Sequence, residues 1–224
     1  MKTNMSKEIQ KELEITKDIQ YFMSRRSLNI DISFRCPLEC PRCQRQRQWR
    51  NEGKKVPGRD LTLKEIDKIS DYYNDFIFCG QLSDPVHHPK FPEILEMLYK
   101  KKTIVEIHNA ASQKSKEYFI KCFKANPHAQ WIFGIDGLPE ESHKYRVNQD
   151  GKKLFNIMIE SKKHLEVTPV WQYIIFNYNE DHIEEAKQMA KENGVGFMLV
   201  QSSRWNDNDD PLRPKNKEVS LNAI

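Results

Sequence analysis

Apolar positions along this chain recur in two periods that take turns. From 27 to 34 ("SLNIDISF") they fall on every second residue, the period of a half-buried strand. From 62 to 76 ("TLKEIDKISDYYNDF") they follow a helical period, with Thr62 as N-cap and Glu65 placed to complete a capping box. The run "FIFC" at 76–79 reads as a short buried strand. The alternation then repeats: helix 91–102 and strand 103–109, helix 115–126 and strand 129–136, helix 151–165 and strand 169–176, helix 180–194 and strand 196–201. Asn179 is placed to cap the last helix and Gly194 to end it as its C′ residue.

Six such alternations predict a parallel sheet with right-handed crossovers. They are too few for a closed eight-unit barrel. The fold expected is α/β: either a partial (β/α)6 TIM-type barrel or a flat doubly wound sheet. Both place chemistry at the carboxyl ends of the strands. The pattern divides the chain into an N-terminal helical segment (1–27), the alternating body (28–201) and a polar C-terminal tail (202–224) expected to lie across the open end or edge.

The chain's 224 residues, 38% of them hydrophobic, suit one globular domain. It holds no apolar run long enough to span a membrane, and its first residues lack the apolar core of a signal peptide. A cytoplasmic, reducing setting is therefore expected, where the five cysteines stay thiols. The net charge of +4 is unevenly spread: Arg35–Arg59 holds eight Lys/Arg against two Glu. That tract, with Arg45, Arg47, Arg50, Lys54 and Lys55, is read as a site for an anionic group or as a solvated loop. Arg47 and Arg50 are the candidate substrate contacts.

Candidate chemistry concentrates just after the first strand. Cys36, Cys40 and Cys43 form C-x3-C-x2-C within "FRCPLECPRCQRQRQWR". A structural zinc site wants four ligands, usually on two separated arms, and the remaining cysteines, Cys79 and Cys122, stand alone. Three cysteines on one loop can ligate three irons of a [4Fe–4S] cluster and leave the fourth iron open to a substrate or cofactor.

This spacing, directly after a first strand, resembles the signature of the radical S-adenosylmethionine (radical SAM) enzymes. The resemblance implies a partial (β/α)6 barrel, a [4Fe–4S] cluster on Cys36, Cys40 and Cys43, and SAM chelated at the open iron. It implies reductive cleavage of SAM and abstraction of a hydrogen atom from a substrate. "CGQLSDPVHHPKFPEIL" resembles the family's Gly-Gly-Glu-Pro motif, with Gly80, Asp84 and Pro85 in its roles; either Asp84 or the carbonyls near Gln81 would meet the SAM ammonium. "EIHNAAS" resembles the third-strand segment, so that Asn109 and Ser112 would face SAM. "FGIDGLPEESHKYR" resembles "SIDG…YR" of the peptide-modifying branch: Arg146 would pair with the SAM carboxylate, while Gly134 stands where that branch has serine. Val200 would lie beside adenine, and Arg42, where the family usually has an aromatic, would present its backbone to it.

Other residues have structural readings. His87 and His88 are expected to serve packing or loop hydrogen bonds, and Trp131 and Trp171 to pack in the core. Cys79 is an inert buried thiol or a hydrogen-atom donor. Trp49 and Trp205 are loop residues able to stack on a substrate. Two substrate classes remain open: an anionic one (nucleotide, modified base or phosphorylated metabolite), and a peptide or protein side chain. A non-catalytic iron–sulfur module or redox sensor is the alternative of another kind. An electron donor of flavodoxin or ferredoxin type is expected from the resemblance, and no auxiliary cluster.

Overall fold

A computed structural model describes residues 16, 24–54, 56–205 and 207–216. Six strands form one sheet: β1 (Ser27–Asn29), β2 (Asp75–Phe78), β3 (Ile104–Asn109), β4 (Gln130–Gly134), β5 (Val170–Ile175) and β6 (Gly196–Gln201). Every neighbouring pair is parallel and the spatial order is the sequence order. A doubly wound sheet reverses its strand order at a switch point. No reversal occurs here, so right-handed crossovers put the helices on one side and leave a concave inner face. The fold is a partial (β/α)6 barrel.

The helices are α1 (Gln44–Glu52), α2 (Leu63–Ile69), α3 (Phe91–Lys100), α4 (Lys116–Ala125), α5 (Gly151–Ser161) and α6 (Ile183–Glu192). The predicted capping box forms: Thr62 Oγ1 accepts from the Glu65 amide while the Glu65 carboxylate accepts from the Thr62 amide. Gly194 follows α6 with φ +60°, the left-handed C′ conformation. Asn179 departs from expectation. Its amide group accepts from Phe176 N (2.7 Å) and donates to Ile174 O (3.0 Å), so it seals the end of β5 instead of capping α6.

The strand predicted over 27–34 pairs with β2 from Ser27 to Asn29, with Ile30 N donating to Ile77 O (3.1 Å), and beyond it Asp31 holds a neighbouring loop. Ser27 belongs to β1, not to a helical segment, and most of 1–27 lies outside the described residues. Within the basic tract the chain forms the helix α1, none of whose residues is buried. Nothing apolar recurs in "QRQRQWRNE" at helical spacing to announce it.

The strands' outer face builds the core with the helices. Trp131 is fully buried, its ring edge-on to Phe123 at 4.9 Å, to Phe91 at 6.2 Å and to Phe119 at 6.3 Å, and stacked near Phe133. Trp171 is equally buried against Phe155 and Phe197. Register places Ile77, Glu106, His108, Gly134, Gln172, Ile174 and Val200 together on the inner face. His108 bridges neighbours there, with Nε2 2.7 Å from Glu106 Oε1 and Nδ1 3.3 Å from Gln172 Oε1.

Trp131→Ala is expected to cost about 3–5 kcal/mol, as for other buried aromatics cut to alanine; a urea-unfolding difference under 1 kcal/mol would contradict this packing account. Burial pushes the Cys122 thiol up to about 12. At pH 8 it should carry about a thousandfold less thiolate than an ordinary cysteine and resist iodoacetamide in the folded protein. Labelling as fast as in the unfolded chain would show the site to be open.

Candidate functional site

The three-cysteine loop runs between the end of β1 and α1. The Cys43 amide donates to Cys40 O (3.1 Å), and Cys43 is itself the N-cap residue of α1. From across the barrel Glu39 N donates to Val147 O, and Asn148 Nδ2 to Pro37 O. Cys36, Cys40 and Cys43 all open on one cavity of about 320 Å³ at the carboxyl ends of the strands. Burial pushes the Cys36 thiol up to about 12, and Asp84 adds to the effect. Burial raises Cys40 too, while the Arg146 guanidinium beside it pulls the other way.

The rim after β2 is held from two sides. Gly80 has φ +59°, and a side chain there would run into the carbonyl of Ser83, so the turn demands glycine. Asp31 accepts from the amides of Leu82 (3.2 Å) and Ser83 (3.1 Å) and from Ser83 Oγ (2.7 Å). Asp84 is buried, and its carboxylate accepts from Val86 N, Asn109 Nδ2, Ala110 N and Ala111 N, the last two at 2.8 Å. These bonds tie the loop after β2 to the end of β3. They also fix Asn109 so that its Oδ1, buried in the cavity wall, has no partner among the described residues.

The rim after β4 is built on an ion pair. Arg146 Nε donates to the fully buried Asp136 at 2.6 Å. Burial opposes the Arg146 charge, but Asp136 and then Cys40 favour it and leave its pKa raised. Gly134 lies under this guanidinium: a Cβ there would sit 3.1 Å from Arg146 Nη2. Gln149 knots the rim, donating to Ala110 O (2.6 Å) and Gly134 O (2.8 Å) and accepting from Ser142 Oγ (2.5 Å).

A second depression, of about 610 Å³, lies between α1 and the segment after β6. Arg42, Arg47 and Arg50 line one side, and Ser203, Arg204 and Trp205 the other. Arg204 faces the cysteine cavity as well, where its Nη2 donates to Gln81 Oε1 at 3.1 Å.

No family model and no curated protein sequence matches the chain. Solved structures do. Streptococcus suis SuiB superposes with a TM-score of 0.66 at 11% identity, over 99% of this chain and 52% of that one. SuiB has also been solved bound to S-adenosylmethionine and to the precursor peptide SuiA. anSMEcpe with bound AdoMet gives 0.59 at 19% identity, over 82% of this chain and 55% of that one. The radical S-adenosylmethionine methyltransferase TsrM from Kitasatospora setae, with cobalamin and a [4Fe-4S] cluster bound, gives 0.53 at 11%, over 83% and 38%. The chain shares the fold of these proteins. The chain spans about half the length of the first two of these proteins, and less of TsrM.

In this fold the cavity gathers most of the residues expected to meet SAM: Gly80, Gln81, Asp84, Asn109, Arg146 and Val200 line it beside the cysteines. Two do not. Ser112 lies outside the lining, its Oγ accepting from Asp150 N (2.8 Å) at the start of α5. Arg42, expected to offer its backbone, lies outside the lining as well, and its side chain bonds Asp210 at 2.8 Å. Cys79, His108, Tyr145, Gln172 and Ile174 join the lining. Asp31 and Gln149 position it without a sequence motif to mark them, and Asp136, which lies within the "GIDG" segment, holds Arg146. Alternation along β3 and β5, which puts Glu106, His108 and Gln172 on one face, was the signal available for the polar floor. His88 is a loop residue, bonded to Leu61 O and to Lys90 N. His87 is half-buried, its Nε2 enclosed and unpartnered among the described residues, and burial lowers its pKa.

The lining fits the cofactors that the resemblance implies. Three half-buried or buried thiols share one wall, Asn109 Oδ1 is an orphaned acceptor among the described residues, and the Arg146 guanidinium, bonded to Asp136 at Nε, lies beside Cys40. Among the described residues no three His, Cys, Asp or Glu side chains converge on a single metal ion. Thiolates that each hold their own iron of a cluster need not converge on one point.

Asp84→Asn is expected to destabilise the fold by about 1–3 kcal/mol, because an amide nitrogen would face buried N–H groups that need an acceptor. Chemical denaturation checks this. Unchanged stability would mean that Asp84 serves a ligand and not the rim.

Proposed function

We propose that the chain is a radical SAM enzyme: Cys36, Cys40 and Cys43 hold a [4Fe–4S] cluster and SAM binds in the adjoining cavity. One observation carries this reading. A single cavity at the carboxyl ends of the strands is walled by three thiols on one side and by Gly80, Asn109, Arg146 and Val200 around the rest. When bound and reduced, the cluster supplies cleavage of SAM to methionine and a 5′-deoxyadenosyl radical that takes a hydrogen atom from the substrate.

The chain's own residues bind and orient. Asn109 Oδ1 and the carbonyls at Gly80 and Gln81 are acceptors for the SAM ammonium, in keeping with Asp84 being occupied by backbone amides. The Nη groups of Arg146 pair with the SAM carboxylate, with Asp136 holding the guanidinium at Nε. Ile174 and Val200 offer adenine an apolar wall. A low-potential donor of flavodoxin or ferredoxin type provides the electron.

The substrate in this reading is anionic, supported by the arginines beside the cavity. A peptide substrate is the second reading, supported by the "GIDGLPEESHKYR" segment and by the fold shared with the peptide-bound SuiB.

Anaerobically reconstituted protein should hold about four irons per chain. Alanine at Cys36, Cys40 or Cys43 should abolish iron binding, whereas alanine at Cys79 or Cys122 should not. With dithionite and SAM the wild type should form 5′-deoxyadenosine slowly without substrate. Tight zinc in place of iron, or no 5′-deoxyadenosine from an iron-loaded protein, would refute the proposal. Arg146→Ala should weaken SAM binding by about 1.5–3 kcal/mol. Arg146→Lys, which keeps a charge for Asp136 but not the fork, separates loss of SAM contacts from loss of the buried pair.

A further inference from the structure

We propose that the groove between α1 and residues 203–205 seats a phosphate-bearing substrate with a planar ring, whose reacting end passes Arg204 into the cysteine cavity. This deepens the anionic-substrate reading above and rests on it for the chemistry alone.

The groove is cationic by construction. Gln44, Arg47 and Asn51 recur at helical spacing and present one face of α1 to Ser203, Arg204 and Trp205. Among the described residues no Asp or Glu lines it. Arg42 is neutralised by Asp210, with Asp207 also acting on it. Arg47, Arg50 and Arg204 have no carboxylate partner among the described residues: Arg50 donates only to the carbonyls of Pro41 and Gln46, and Arg204 to Gln81. Three guanidinium forks without counter-charges suit a group with several charged oxygens better than a lone carboxylate. At about 610 Å³ the groove is of ligand size.

The aromatic element is Trp205, only partly buried and held edge-on by Phe176 at 5.8 Å. Phe176 stacks in turn on Tyr145 of the cavity wall at 4.1 Å. Arg204 borders both spaces. A molecule anchored between Arg47 and Arg50 and stacked on Trp205 therefore has a direct path past Arg204 to the Cys79–Gly80 side of the cavity.

The test uses reconstituted holoprotein saturated with SAM, and two probes: inorganic pyrophosphate and cytidine 5′-diphosphate. Binding is read by calorimetry and tryptophan fluorescence. Both probes should bind, the nucleotide more tightly. Affinity should fall between 0.1 and 1 M salt as the Debye length shrinks from about 10 to 3 Å. Arg47→Glu with Arg50→Glu should weaken both probes tenfold or more, and the milder Gln pair should weaken them in the same direction. Arg59→Glu, on a surface pair with Glu65, should not. Trp205→Ala should weaken the nucleotide and leave pyrophosphate unchanged. Neither probe binding, or wild-type affinity in the double variant, overturns the groove. Unchanged nucleotide affinity in Trp205→Ala overturns the planar ring. Substrate-free 5′-deoxyadenosine formation on the same samples separates the two proposals. Intact SAM cleavage without anion binding sinks the groove alone, and anion binding without cleavage sinks the radical SAM reading.

Discussion

The Asp84 carboxylate holds the working end of this barrel together. It is buried with no cation paired to it among the described residues, and its charge is met by the amides of Val86, Ala110 and Ala111 and by Asn109. A buried carboxylate is tolerated only where such donors converge on it. Converging them fixes the loop after β2 against the end of β3. The turn at Gly80, the orphaned Oδ1 of Asn109 and the backbone of Ala110 then face one space. Asp31 repeats the device from the β1 side, and Gln149 from the β4 side.

Around that rim the site divides into two neighbouring spaces with different chemistry. The inner one combines thiols, a buried ion pair and backbone groups. The outer one is bounded by an exposed basic helix. The segment from Ser202 joins them. Arg42 holds it through Asp210, Asn177 N donates to Leu212 O, and Glu180 accepts from the amides of Lys215 and Asn216. These bonds press Arg204 and Trp205 against the opening, so the wall of the outer space is made by residues far from the cysteines in sequence.

Where the chain departs from the radical SAM motifs, neighbouring contacts explain the change. Glycine at 134 leaves room for an arginine that swings toward Cys40 while bonded to Asp136; a serine there would crowd Nη2. An aspartate at 84 reaches backbone amides and so acts on the rim, leaving ligand contacts to carbonyls and to Asn109.

By itself the sequence determined the alternation of six strands and helices, the end of the sheet where the cysteine cavity opens, and the three cysteines on one loop. These follow from local periodicity and spacing, which the backbone obeys wherever the chain goes. It also marked Thr62, Gly194, Trp131 and Trp171 correctly, since caps and large apolar residues on strands have few alternatives. The strand order, which separates a singly wound barrel from a doubly wound sheet, needed the tertiary structure, because crossover helices look alike in both. So did α1: a helix with no buried face leaves no apolar period to read. The partners of Asp84, Asp136, Ser112 and Arg42 lie between 2 and 168 residues away along the chain. Whether a polar side chain meets a ligand or a backbone amide depends on which donor arrives first at hydrogen-bond distance, and folding alone brings those donors together.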